Sequence, residues 1–433
     1  MHQRPVIKYL PTVVCLIGAV LVLGTVFLFS ERNSAAPDSV LGKIVNGTAD
    51  KLNAVLDADV AEKLEYRLYE RAPSDAVDLV IPDGVTDIAR NAFKDCHDLE
   101  SVVFPNSVNY IPTEAFSKCR KLKSVVLPVH ATIGDRAFNA CLALESVMLN
   151  RDSRPVAPVW MEEDEEEGVI FAFIGENAFW SCRALKQIEI PVGIRSINEH
   201  AFGSCRALKQ IEFPDSIRSI GEEAFLDCVS LESLVIPEGV ETIGEDAFCQ
   251  CEALKSLRLP DSVKTIGANA FINCGALEDL KLPAGPVDFG EHVFESCFAL
   301  KHFKYPPLSS KTLPNVLNNC RGLETVELPS GIIAIAENAF ESCHELREVR
   351  IPEGVETIQS RAFIGCLKLE RVTLPASLKS IESCAFGWCS ALKEIAIPEG
   401  VTDIAADAFR NTPCQGAVRE FAESRHIRII YAE

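Results

Sequence analysis

The chain has 433 residues, 48% of them hydrophobic, enough for a large core and, on length alone, for two or three globular domains. A formal net charge of −20 repels phosphate backbones and excludes nucleic acid as a natural partner. Aromatic residues are few apart from 23 Phe, and the 17 Cys are an odd number that cannot be fully paired within one chain.

The first element is apolar. Arg4 and Lys8 precede a nearly unbroken run from Leu10 to Phe29, which Glu31 and Arg32 close. About 20 apolar residues suffice to cross a bilayer as a helix, whereas a cleaved secretory signal has a shorter centre of roughly 7–15. Residues 1–30 therefore read as a retained membrane anchor, with residues 10–29 in the bilayer. Ser34-Ala35-Ala36 resembles a small-residue cleavage site, although Pro37 follows it directly, so a cleaved signal and a secreted protein are the alternative. Positive charge ahead of the run keeps the N-terminus in the cytoplasm and exports the remainder, to a cell surface or periplasm.

Residues 31–76 form a linker with one expected helix. From Asp50 to Arg71, Leu52, Val55, Leu56, Val60, Leu64 and Leu68 share a helical face, Asp50 suits the N-cap and Pro73 lies beyond the end. Such a helix would cover the open edge of the first unit that follows.

Residues 77–413 are repetitive. An apolar-Pro pair recurs at Ile81-Pro82, Phe104-Pro105, Leu127-Pro128 and Ile190-Pro191, and from Pro191 to Pro398 every step is 23 residues. One unit runs Ile236-Pro237-Glu238-Gly239-Val240-Glu241-Thr242-Ile243-Gly244, then Ala247-Phe248, Cys251, Leu254, Leu257 and Leu259. Fourteen units can be aligned, with Leu317 standing for Phe in a degenerate one, a short unit around Phe138, and an interruption at 151–168. The pattern is similar to the leucine-rich repeats of the BspA-like, Treponema pallidum-type family, over about Leu79 to Thr412, more than three quarters of the chain. The resemblance implies a curved repeat solenoid and a surface protein whose activity is adhesion or binding to other proteins. It implies no catalytic residue.

Physical reasoning reaches the same fold. One unit is too short to bury its own apolar face, and stacking makes a continuous core. The stretch before each Pro reads as a short strand with Val102 and Phe104 inward and Val103 outward, ended by a residue that cannot donate to a ladder. Val-x-x-Ile is a second short inward segment. Ala-Phe-x-x-Cys has helical spacing and reads as one helical turn on the third side, with successive Phe rings stacked. The expected fold class is thus a leucine-rich-repeat solenoid of short β-strands with one helical turn per 23-residue coil and about 14 coils.

Thirteen Cys fall at one repeat position, from Cys96 to Cys389, and read as small buried hydrophobes, not as a disulfide framework. Cys249, Cys384 and Cys414 lie off that column and are expected to be exposed. Charged residues from Glu100 to Lys393 form a row in which eleven of twelve neighbouring pairs have opposite sign, a pattern suited to holding coil register. Two outward sets are candidate partner-binding residues. Arg258, Lys281, Lys304 and Arg350 would form a basic stripe suited to an acidic protein segment or extracellular polymer, and Val103, Val126 and Met148 an apolar trio. Ordinary solvated variation is the alternative for both.

The interruption carries Trp160 and the run Glu162-Glu163-Asp164-Glu165-Glu166-Glu167, a surface-loop composition. Residues 414–433 read as a C-terminal cap with a helix over Gln415–Arg425 and a last strand over Ile427–Tyr431. No Walker A, H-E-x-x-H, G-x-S-x-G or G-x-G-x-x-G stands in the chain, so no catalytic, metal-binding or cofactor-binding residue is expected. The functional expectation is a membrane-tethered, outward-facing scaffold for protein or matrix binding. A structural envelope protein without a specific ligand is the alternative, and a carbohydrate-processing enzyme a remote one.

Overall fold

The computed structural model describes residues 77–81, 85, 87–151 and 172–431, together with Cys15–Leu16 and Thr25–Phe29 as short strands. The chain divides into two compact units, Met1–Ala207 and Leu208–Glu433, and each is a parallel β-solenoid.

In the first unit the pre-proline segments form one ladder. Strands Asp78–Val80, Ser101–Val103, Ser124–Leu127, Ser146–Leu149 and Gln187–Ile188 run parallel, in register through Leu79, Val102, Val125, Val147 and Ile188. Val102 and Phe104 are buried and Val103 is partly exposed, because successive strand side chains alternate between faces. A second ladder joins Tyr110–Ile111, Thr132–Ile133, Phe173–Ile174 and Ser196–Ile197.

The second unit repeats this plan. On the pre-proline side its ladder is divided, with Ser233–Val235, Ser256–Arg258 and Asp279–Lys281 in one sheet and His302–Lys304, Thr325–Glu327, Glu348–Arg350 and Arg371–Thr373 in another. The Val-x-x-Ile side is divided at the same place, between Asp288–Phe289 and Thr312–Leu313, where Val287 and Leu308 make a single bridge. At the C-terminus, helix α1 spans Gln415–Ser424, and strand Arg428–Ile430 pairs with Asp403–Ala405.

The third side departs from the expected helical turn. Each core Phe from Phe93 to Phe386 is flanked two residues before and two after by left-handed backbone, as at Asn91 (φ 61°) and Asp95 (φ 61°) around Phe93, or Asn269 (φ 56°) and Asn273 (φ 61°) around Phe271. An α-helix cannot pass through such residues. What the conformation provides is a third set of bonds between coils: the amides of Asn91, Phe93 and Asp95 donate to the carbonyls of Thr113, Ala115 and Ser117 on the next coil, at 2.8–3.3 Å. A helical turn would have spent those amides within its own coil.

The core is a column of rings. Phe93, Phe116, Phe138, Phe179 and Phe202 stack at 4.9–5.4 Å in the first unit. In the second, Phe225 to Phe294 and Phe340 to Phe409 form two runs at 5.0–5.5 Å. Each such contact contributes about 0.5–1.5 kcal/mol beyond burial of area. The intervening position is Leu317, also fully buried. Gly244 marks close approach between coils: a Cβ there would stand 2.5 Å from the Gly221 carbonyl carbon.

The cysteine column is buried and its thiols are free. It also does something that burial alone does not explain. Most of these thiols reach back one coil and donate to the carbonyl of the residue at the Phe position, as Cys119 to Phe93 (3.0 Å), Cys182 to Phe138 (3.2 Å), Cys343 to Leu317 (3.3 Å) and Cys389 to Phe363 (3.1 Å). Those carbonyls already accept the amide of their own coil's cysteine, as Phe138 does from Cys141. Thiol and amide together fill both lone pairs.

Three sequence expectations need comment. Cys249 and Cys414 are buried, not exposed, and Cys384 is only partly exposed, because the residue after each Phe and the start of α1 are covered by neighbouring chain. The anchor expected as one helix is extended where it is described: Thr25–Phe29 pairs antiparallel with Asp78–Val80, satisfying the polar groups of the first coil's free strand edge. Cys15–Leu16 pairs antiparallel with Thr25 and Val26 in turn, while the rest of that run, the expected helix over 50–71 and the interruption at 151–168 beyond Arg151 lie outside the described residues. No helix among the described residues is long and apolar enough to cross a membrane.

Candidate binding surfaces

The outer face of the pre-proline ladder carries both candidate sets. In the first unit Val103, Val126 and Met148 occupy equivalent positions on three paired strands, so they form one continuous apolar line. Beside it, Ser101, Ser124 and Ser146 form a parallel hydroxyl line. Met148 is 37% exposed, and Gln187 on the next strand lies 3.8 Å from its sulfur. The patch is therefore apolar along one line and polar along the next.

The basic residues are not the uninterrupted stripe that their spacing suggests. Arg258 and Lys281 are register neighbours, but Arg258 holds the Asp279 carboxylate through both guanidinium arms. That carboxylate keeps the Arg258 proton on and is itself held below the usual carboxylate range. Lys304 pairs with Glu327 at 2.9 Å, and the sheet division falls between Lys281 and Lys304. Arg350 sits beside Thr373 on the adjoining strand. Half of the set is thus neutralised by the same face: Arg258 by Asp279, four before its proline, and Lys304 by Glu327, which stands in the same outward row.

The alternating charge row joins coils as its signs require. Lys123 meets Glu100 at 2.8 Å, Lys186 meets Glu145 at 2.6 Å, and Lys301–Glu324 and Arg347–Glu370 stand at 3.9 Å. A second row adds Lys121–Asp98 at 2.7 Å and Lys368–Glu345 at 2.6 Å. All are solvent-exposed pairs, which add little stability each but penalise a slipped register.

The nearest approach to a nucleophilic site is Cys384, whose thiol donates to Asp407 at 3.3 Å while Ser383 donates to the same oxygen at 2.9 Å. Burial and that carboxylate push the thiol up, the opposite of activation. Among the described residues no group of three or more His, Cys, Asp or Glu is placed to hold a metal ion.

One concavity of about 490 Å³ lies in the second unit, over Pro314 and Asn315. Elsewhere five residues separate the inward Ile or Phe of the second ladder from the core Phe, as from Phe289 to Phe294 and from Ile335 to Phe340; here only four separate Leu313 from Leu317. This segment is one residue short, although the coil keeps its 23 residues from Phe294 to Leu317, and Pro314 has no amide to give. The ladder slips accordingly: the His292 amide donates to the Asn315 carbonyl at 2.6 Å, one position beyond the usual acceptor. A notch opens between the turns carrying Glu291 and Glu337. The spacing that betrays it is legible in the sequence.

With these geometries in place the chain can be set beside known proteins. A model described as BspA type leucine-rich repeat region matches residues 72–156, 172–301 and 310–421 in six copies. The chain belongs to the BspA-type leucine-rich repeat family. The breaks in the match fall at the interruption and at the segment that leads into the notch. Among solved structures, a leucine-rich repeat protein from Bacteroides ovatus is 24% identical with a TM-score of 0.56, covering 82% of this chain and 92% of that one. A leucine-rich cell surface protein from Faecalibacterium prausnitzii is 25% identical with a TM-score of 0.45, covering 84% and 92%. The leucine-rich repeat protein of T. pallidum is 28% identical with a TM-score of 0.34, covering 53% and 86%. No curated protein matches the chain.

Proposed function

We propose that this BspA-type repeat protein is an exported scaffold that binds another protein or a cell-surface polymer, as an adhesin does, through the outer face of its first ladder. The observation that carries this reading is the in-register line Val103, Val126 and Met148, an apolar stripe on a parallel sheet whose neighbouring line is polar. Solenoids bind along such faces. The basic residues are the weaker half of the surface, because Arg258 and Lys304 already have partners.

The test is binding of the full chain to candidate host or neighbour cells, with V103E/V126E/M148E compared against R258E/K281E/K304E/R350E. Loss in the first variant, with little dependence on salt, is the expected result. Loss in the second alone, with binding that falls as ionic strength rises, transfers the function to the basic residues.

Tethering rests on the length of Leu10–Phe29 and its flanking charges. The pairing of Thr25–Phe29 with Asp78–Val80 favours a second use of the same segment, as a cover for the first coil. Protease shaving of intact cells separates the two. Release of the repeats into the medium while the N-terminus stays with the membrane supports the tether; repeats recovered soluble, with the segment attached, support the cover.

A further inference from the structure

We propose that the notch over Pro314 is a binding site for the guanidinium or ammonium group of a basic protein segment. The site is separate from the outer strand face and does not depend on it. Its void of about 490 Å³ is of the size that ligand sites have, roughly 300–1,000 Å³.

The lining decides the chemistry. Asp288, Glu291 and Glu337 bring three carboxylates, and none of the lining residues is Lys or Arg. At the floor, the side-chain oxygens of Asn315 and Asn338 are buried and accept no hydrogen bond among the described residues. A buried acceptor left without a donor is unfavourable, so the two asparagines add to the acceptor character that the three carboxylates give the notch. An acceptor-rich wall calls for a ligand that only donates, and of protein groups guanidinium and ammonium do so with positive charge throughout the neutral pH range. Phe289, Leu308 and Pro314 supply apolar surface against which the methylene stem of Arg or Lys can lie. His292 is held against Glu295, with Nδ1 2.7 Å from Oε2, and its Nε2 stands 3.9 Å from Glu291, whose side chain is 80% exposed at the rim.

A chain of net charge −20 attracts any cation diffusely, so the test must separate the notch from the background. The probe is a fluorescein-labelled Gly-Arg-Gly-Arg-Gly peptide, with its lysine counterpart, titrated with the full chain and followed by anisotropy at about 0.15 M salt, where distant charges are screened. Glu291→Gln with Glu337→Gln removes two exposed charges at the rim, Ala336→Trp fills the void, and Glu238→Gln with Glu252→Gln removes two exposed charges elsewhere. The expected result is a Kd weakened roughly tenfold by each notch variant and less than about twofold by the distant pair, as for a localised charge-assisted contact. Equal weakening by the two charge pairs, no measurable binding of either peptide, or tighter binding of a neutral oligosaccharide overturns the proposal. Circular dichroism on each variant confirms the fold, and the glutamine pair carries the decision if Ala336→Trp does not fold. Loss of cell binding in V103E/V126E/M148E with peptide binding intact would show the two sites to be independent.

Discussion

At the scale of single residues, the cysteine column is the clearest case of a side chain chosen for two properties at once. Cys182 is fully buried, and its thiol bonds the Phe138 carbonyl at 3.2 Å. Cys182→Val keeps volume and loses the donor; Cys182→Ser keeps the donor and loses volume; Cys182→Ala loses both. If the thiol bond matters, Ser is the mildest of the three, and Ala costs about 1–2 kcal/mol by lost contacts and an under-satisfied carbonyl. Denaturant midpoints measure the order, and a neutral Cys182→Val would show that packing alone selects cysteine. The sequence made the column and its burial plain, since thirteen copies at one position follow the repeat and not a pairing scheme. The acceptor was not legible, because it sits one coil earlier and is a backbone atom.

At the scale of the element, the turn around each Phe is where sequence spacing misled. Ala-Phe-x-x-Cys has the interval of a helix, but the residues at its shoulders are Asn, Asp, Ser and His at many coils, types that tolerate left-handed backbone. Their recurrence was the available cue. Where the shoulder is Ala140, at φ 56°, no side-chain hydrogen bond offsets the strain, while the equivalent residue in another coil is Gly365 at φ 72°. Left-handed backbone costs a residue with a Cβ roughly 1–2 kcal/mol, against which glycine's extra unfolded-state freedom costs about 0.5–1. Ala140→Gly is therefore expected to stabilise the first unit slightly, read as a higher denaturant midpoint; a lower one would show that the turn is unstrained. The pre-proline ladder, by contrast, was largely legible, because proline closes most of its strands and alternation fixes which face is buried.

At the scale of the whole molecule, the buried thiols set how the chain meets oxidants. Burial pushes Cys182 and Cys320 up to about 12, far above the usual thiol, so the folded protein holds almost no thiolate there at neutral pH. Because the folded value is raised, the neutral thiol favours the fold, and that contribution persists as pH rises until it passes the unfolded value near 8.5, then declines toward 12. Thiol reagents applied at pH 8 should label few of the seventeen cysteines until denaturant is added, and the denatured chain should give the same count with or without reductant. Rapid labelling of most thiols in the native protein, or a count that rises with reductant, contradicts a reduced core. The binding surfaces were the least legible part of the chain. Spacing placed Arg258, Lys304 and Glu327 on one face but could not show Glu327 closing on Lys304 or Asp279 reaching Arg258.

The bonds on the Phe side of the coils have a direction. In both units each coil donates amides there to its successor, as Phe116 to Ala137 and Phe363 to Ala385. A stack built this way has unlike ends: one offers only acceptors, the other only donors. Two identical ends cannot mate through that edge, whereas opposite ends of two molecules can, and such joins repeat without closing into a ring or pair. An uncovered end would therefore seed filaments. Helix α1, with Val418 and Ala422 buried beside Ile404 and Phe409, stands at the donor end, where it stops the stack from being extended by a second copy.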